Sequence, residues 1–415
     1  EMPSPHANGL RALAAMESTK YLDKLRKWAN PDSPLPKEGQ QPPFPEEWVV
    51  AQSAMRYVGW MKDDQSWGVL EKSLKRRPEH IDVTMDGLMQ GGKAILGMTL
   101  RAVGVGAAHG FSQWGDPRAF KPLLEYVEDP MNNEQSRFEA CPPLAWVGTK
   151  EDMLTVAKKI EEYKKLDKAD QVRRACLLEA FVQRPVPGTA PALLGLLTPE
   201  SAIPTRNQAA RAIGKAGIDK ETETKLFELM KNDSLMNDAA LALILGGTPD
   251  VAARAGAMYA DKPKAALEEL GDLWFRTFGY WSMEDLESGR IFRWVDNASA
   301  ISHVEINQTA QEWAPVLLTR QFDNLVFDNG PHSFTRPVLR HRLWNMAKDD
   351  TKPEIQQGAV RTLKFMQEQG ILLALKDEKG KGGQLARDAY FELMNPKVVT
   401  GVKIPELDNK SAQKE

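Results

Sequence analysis

Cysteine is almost missing from this chain, with two in 415 residues, and histidine is scarce, with six. The histidines (His6, His80, His109, His303, His332 and His341) are scattered. His303 with Glu305, or His332 with His341 and Asp328, could approach a metal, but neither group has the i,i+4 spacing of a helical zinc pair. No metal is expected. A strong excess of one charge is also missing: Lys plus Arg number 54 against 57 Asp plus Glu, a net charge of −3. No basic balance invites nucleic acid, and no acidic tail invites basic partners. No apolar run is long enough to cross a bilayer, so no transmembrane segment is expected. A Gly-x-Ser-x-Gly nucleophile elbow is absent. Gly91-Gly92-Lys93 lacks the rest of a phosphate loop, and the stretch from Gly104 to Gly110 misses a dinucleotide loop by one place with no strand before it. These absences point away from an enzyme, and no cofactor is expected.

A repeat of small residues is what the chain does have. Gly115, Gly148, Gln183, Gly217 and Gly247 follow one another at spacings of 33, 35, 34 and 30. Seven residues before each stand Ala108, Cys141, Cys176, Ala210 and Ala240; eight before stand Ala107, Ala140, Ala175, Ala209 and Ala239. Small side chains let a neighbouring helix come close, and glycine accepts the left-handed conformation that ends a helix. A period in this range marks stacked helical units. Both cysteines occupy the same slot of consecutive repeats. Stacked helix axes lie about 8–10 Å apart and a disulfide needs Cα atoms within about 7 Å, so two buried, reduced thiols standing in for alanine are expected. Cysteine usage leaves the compartment open.

The residues select among repeat classes. Val172-Arg173 with Ala175-Cys176, Ala209-Ala210 with Ile213-Gly214 and Gly217, and Ala239-Ala240 with Leu243 and Gly246-Gly247 resemble the HEAT-repeat superfamily in its short bacterial form. The resemblance covers about residues 100–260, with an echo at Ala359-Val360-Arg361 and Leu363. It implies an all-α fold: a right-handed α-solenoid of HEAT-like helical hairpins, continued by an irregular, aromatic-rich helical C-terminal part.

In chain order, residues 1–45 form an N-terminal helix and a connector; its stretch 30–45 carries six prolines. Residues 46–262 form the solenoid, with helices expected over 46–62 and 65–77 before the regular repeats. Pro142-Pro143 marks either a helix start or a kink. Residues 263–395 are aromatic-rich: Trp274, Phe275, Phe278, Tyr280, Trp281, Phe292 and Trp294 place seven aromatics in 21 residues of a chain that is 8% aromatic. Residues 298–308 read as a non-helical break and 380–383 as a flexible joint, with helices over 337–348, 353–368 and 384–394. Residues 396–415 read as an extended or disordered tail.

Bulky residues of this kind close the end of a solenoid. Interleaved with Arg276, Arg290, Arg293 and Arg320, they also fit an aromatic-lined groove for a partner, because Trp, Tyr and Arg concentrate interface energy. The candidate partner-binding residues are Trp274, Arg276, Tyr280, Trp281, Arg290, Arg293 and Trp294. The leading reading is a non-enzymatic scaffold whose repeat surface receives a partner protein. Two alternatives rest on the resemblance alone: a HEAT-like nucleic-acid-binding or DNA-repair enzyme, which the charge balance disfavours, and an accessory factor or lyase for chromophore attachment. Location stays open between the cytoplasm and export with removal of a signal peptide.

Overall fold

The computed structural model describes residues 19–30, 46–75, 93–130, 132, 134–163, 168–277, 281–302, 336–348, 352–366 and 368–394. Over these residues the chain is all-α, with twenty α-helices, three short 3-10 turns and no strand. The expected connector over 30–45 and the tail over 396–415 lie almost wholly outside them. The helices fall into two compact units. One holds residues up to Leu196 with Ser201–Ala212; the other holds Leu197–Glu200 and the chain from Ile213 onward, apart from 328–333.

In the first unit the helices are α1 (Leu22–Ala29), α2 (Glu46–Trp60), α3 (Trp67–Lys75), α4 (Lys93–Trp114), α5 (Phe120–Glu128), α6 (Glu134–Val147), α7 (Lys150–Glu162), α8 (Lys168–Gln183) and α9 (Ala190–Leu194). Helix α10 (Ile203–Ala216) gives this unit its residues up to Ala212. Two rows emerge. Helices α2, α4, α6 and α8 each pack on the next, while α3 packs on α5 and α7 on α9. The rows are joined by α3 on α4, α5 on α6 and α7 on α8. This is the alternation that the repeat of small residues predicts. Ala107, Ala108, Ala140, Cys141, Cys176, Ala209 and Ala210 are wholly buried, and only Ala175 is half-buried.

Glycine sets how closely the first row packs. A Cβ on Gly59 would stand 2.0 Å from the carbonyl oxygen of Gly110, and one on Gly106 would stand 2.8 Å from the Cα of Gln52. Gly106 and Gly110 thus lie on the face of α4 against α2, while Gly104 faces Tyr126 of α5. Helix ends follow local chemistry. Gly115 and Gly217 adopt positive φ (72° and 86°) after their helices. Thr149 and Asp152 form a reciprocal capping box on α7, and Thr248 caps the helix that Pro249 opens. The N-terminal helix packs on its own chain: Leu25 and Ala29 are fully buried, and Arg26 grips Asp63 at 2.7 and 2.5 Å. The Arg26 and Ser66 hydrogen bonds hold the Asp63 carboxyl below its usual range.

The second unit takes the last turn of α10, then α11 (Lys220–Leu229), α12 (Met236–Gly246), α13 (Pro249–Ala257), α14 (Lys264–Arg276), α15 (Met283–Glu287), α16 (Arg290–Ser302), α17 (Arg336–Lys348), α18 (Pro353–Phe365), α19 (Gln369–Leu375) and α20 (Lys381–Met394). Here α12 packs on α14 and on α16, α16 on α18, and α18 on α20. Ala239, Ala240, Ala359 and Leu363 are fully buried.

Four local expectations are corrected. Residues 298–302 are not a break but the last turn of α16, because the run from Arg290 keeps an apolar stripe (Ile291, Trp294, Val295, Ala298) that is buried. Gly382 and Gly383 are not a joint but the first turn of α20. Both are buried, and a Cβ on Gly382 would meet the Ala347 carbonyl oxygen at 2.0 Å. Helix α6 runs through Pro142-Pro143 from Glu134 to Val147, so neither proline starts it. The fourth correction is chemical. Cys141 and Cys176 are a disulfide with Cα atoms 5.8 Å apart, not two thiols. The 8–10 Å separation belongs to helix axes, and each Cα sits about 2.3 Å off its axis. Facing Cα atoms of tightly packed helices therefore fall within bonding reach.

Candidate functional site

The aromatic-arginine stretch lies in the second unit and is built on α14, α15 and α16. Ser282 and Asp285 make a capping box on α15: the Asp285 amide donates to the Ser282 hydroxyl at 3.2 Å, and the Ser282 amide donates to Asp285 Oδ2 at 3.0 Å. The same carboxylate oxygen receives the Ser282 hydroxyl at 3.1 Å and lies 3.0 Å from Lys215 Nζ. Asp285 Oδ1 receives Arg290 Nε at 2.7 Å, and Arg290 also reaches Glu284 at 3.3 Å. The side chains of Lys215 and Asp285 are wholly buried. A charge out of water is tolerated only when paired and fully hydrogen-bonded. Asp285 meets that condition with four donors.

Trp294 roofs this cluster. Its ring lies 5.5 Å from Lys215 Nζ and 5.7 Å from the Trp281 ring. Its indole N–H donates to the Leu245 carbonyl at 2.7 Å. One turn on, Asn297 Nδ2 donates to the carbonyls of Ile244 (2.6 Å) and Gly247 (2.9 Å). These are carbonyls at the end of α12, which a helix cannot satisfy internally. Gly247 has an extended backbone rather than positive φ, so two side chains of α16 perform the capping.

The structure therefore divides the seven candidates. Trp274, Trp281 and Trp294 are buried, at 2%, 7% and 0% exposure. Arg290 is bound to Asp285 and Glu284. Arg276, the last residue of α14, is exposed. Arg293 is half-buried, and its Nε is closed off from solvent with no acceptor among the described residues. Burial and the neighbouring Arg290 push its guanidinium below the ordinary arginine range. Tyr280 lies outside the described residues, as do Phe278 and Arg320. The candidate cations not tied to a described carboxylate are thus Arg276, which is exposed, and Arg293, which is half-buried.

Sequence reasoning missed Lys215, Asp285 and Asn297 as parts of this assembly. The spacing of Ser282 and Asp285 is a capping-box signature and marks one of them; the partners come from α10 and α12, far away in sequence. Elsewhere in this unit a surface recess of about 300 Å³ lies between α17 and α19, lined by Arg340, His341, Trp344, Asn345 and Ile371. Arg340 is tied to Glu368, and His341 is hydrogen-bonded to Asn345 at 3.1 Å.

Among the described residues no group of three or more His, Cys, Asp or Glu could hold a metal. His303, Glu305, His332 and Asp328 lie outside them. No described helix is long and apolar enough to cross a membrane. The sequence matches no family model and no curated protein.

Proposed function

We propose that this chain is a non-enzymatic scaffold of the short HEAT-like kind, an α-solenoid whose repeat surface receives a partner protein. The observation that carries the reading is the fate of the small residues. In the first unit α4, α6 and α8 pack in sequence, with Ala107, Ala140, Cys141 and Cys176 wholly buried. Each helix spends its small face on its row neighbours and a second face on the other row, and what is left of its circumference can carry a surface. Helical repeats joined this way present extended faces to partners.

The proposed contact surface in the second unit includes Arg276 on α14 and Arg293 on α16, the helices that also carry the buried Trp274 and Trp294. A half-buried guanidinium without a carboxylate gains most from one supplied by a partner, because charge-assisted hydrogen bonds strengthen as water is excluded. The test is recovery of partners from the native source with Arg276→Glu and Arg293→Gln. Arg290 is left intact, since its loss would disturb the buried cluster and confuse misfolding with lost contact. Partner recovery should drop at least tenfold. Unchanged recovery by a variant with wild-type circular dichroism would remove this surface from the proposal.

A further inference from the structure

The Cys141–Cys176 link joins α6 to α8, consecutive members of the first row, across 35 residues of chain. Both residues are at 0% exposure, and no cysteine is left free. Thiol–disulfide exchange needs a thiolate to reach a donor sulfur in line, through a mixed disulfide between donor and substrate. A sulfur with no exposed surface cannot form that intermediate with a protein-sized donor. The link must therefore form before α6 and α8 dock. Disulfides form and persist where the surroundings keep thiols oxidised.

We infer that this chain is the substrate of a disulfide-donating thiol oxidoreductase, which oxidises Cys141 and Cys176 on the still-open chain in an oxidising compartment. One thiolate attacks the donor disulfide to give a mixed disulfide, releasing one donor thiol. The second thiolate then displaces the other donor sulfur. One S–S bond is made here, the two substrate thiols give up two protons and two electrons, and the donor disulfide becomes a dithiol. The two cysteines in these 415 residues offer a single intramolecular pairing. A donor suffices, and no isomerising activity is needed to correct it.

The first test is trapping. Protein from its native source is quenched in acid, alkylated with N-ethylmaleimide before any reduction, and mapped by mass spectrometry. A peptide carrying Cys141 should be found joined to one carrying Cys176. Maleimide on both cysteines would overturn the proposal. The second test addresses the order of events on the purified full chain. Dithiothreitol should open the link at least a hundredfold faster in urea-unfolded protein than in folded protein at the same pH. Equal rates would show the sulfurs to be reachable after docking and would overturn oxidation of the open chain. This readout starts from the oxidised protein, so it does not depend on whether the reduced chain refolds.

Discussion

In the unit that ends at Leu196 and takes in Ser201–Ala212, neighbouring helices meet through alanine, glycine and one covalent bond. In the unit that begins at Ile213, glycine contacts recur, with Gly214 of α10 against Leu245 and Gly246 of α12 and Gly382 against Ala347, but α10, α12, α15 and α16 also meet through tryptophan, asparagine and a buried ion cluster. Close approach explains the first. Gly59 and Gly110 leave no room for a side chain between α2 and α4, and Cys141 and Cys176 sit 5.8 Å apart between α6 and α8. Such contacts are short-ranged and repeat with the sequence. The second unit adds large polar side chains to its close contacts, and each brings polar atoms that must be matched: Trp294 to Leu245, Asn297 to Ile244 and Gly247, Asp285 to Lys215 and Arg290. The first mode tolerates any residue small enough. The second depends on specific partners and loses more when one is removed.

The largest expected effect therefore lies in the second unit. Asp285→Ala takes away the carboxylate on which Lys215 and Arg290 converge and leaves buried positive charge behind. Breaking a buried pair from one side costs about 3–5 kcal/mol; Lys215 is the wholly buried cation affected, while the partly exposed Arg290 keeps Glu284. Urea unfolding should show the loss, and hydrogen exchange should place it in α15, α16 and the last turn of α10. A change below about 1 kcal/mol would make the cluster dispensable. The first unit has its counterpart in the Cys141→Ala/Cys176→Ala double variant. Opening a closed loop of about 35 residues costs roughly 3–4 kcal/mol in the chain-entropy picture. Alanine occupies the same slot in the other repeats and keeps the helices close. Wild type in reductant with denaturant should approach the variant, with the exchange gain confined to α6, α7 and α8.

The two modes differ in how far sequence betrays them. Small pairs at a fixed spacing are a local, periodic signal, and from them the helices of the first unit, the stops at Gly115 and Gly217 and the buried slots were legible. Ala175 departs by being half-buried, at the one repeat position where Gln183 replaces the closing glycine. The disulfide was hidden by treating axis spacing as Cα spacing. The second unit gave only composition. Seven aromatics in 21 residues announce bulk but not its direction, and the partners that bury Trp294 and Asp285 sit on α10 and α12, outside that stretch. Asn297 stands just before the break expected over 298–308 and drew no reading as a capping residue; its amide serves carbonyls about 50 positions away. Gly382 and Gly383 read as flexible because the space that excludes a Cβ there is created by other parts of the chain.

Acid provides a gentler separation of the units. Burial and the Arg56 charge hold His109 on α4 well below its ordinary value of 6.5. The unfolded chain takes up this proton near pH 6.5 while the folded chain refuses it. The contribution is therefore fully present above pH 6.5 and is lost as pH falls toward the folded value. The slope is about 1.4 kcal/mol per pH unit for one proton. The unfolded imidazole is half protonated at pH 6.5, so unfolding free energy should fall by about 1 kcal/mol between pH 6.5 and 5.5, and His109→Gln should flatten the slope. An unchanged slope would move the titration to another group.

The smallest effect should have the opposite sign. Arg174 on α8 is 9% exposed, its Nε is closed off from solvent, and it has no carboxylate partner among the described residues. Burial alone pushes its guanidinium below the ordinary range. Its counterpart in the second unit, Arg293, is more exposed, although the neighbouring Arg290 adds to its burden. Replacing a buried, unmatched cation with an unbranched apolar side chain removes a desolvation cost and keeps most of the packing of the stem. Arg174→Met should gain about 1 kcal/mol in urea unfolding, and Arg293→Met a smaller fraction of that. If Arg174→Met instead loses stability, its guanidinium has a partner that its surroundings do not reveal, and the first unit would depend on specific polar matching as the second does. If both gain, each unit holds one cation against its own stability. Retention at such a cost is expected of a residue whose anion arrives with a partner, and partner recovery by the stabilised, fully folded variants would then measure that directly.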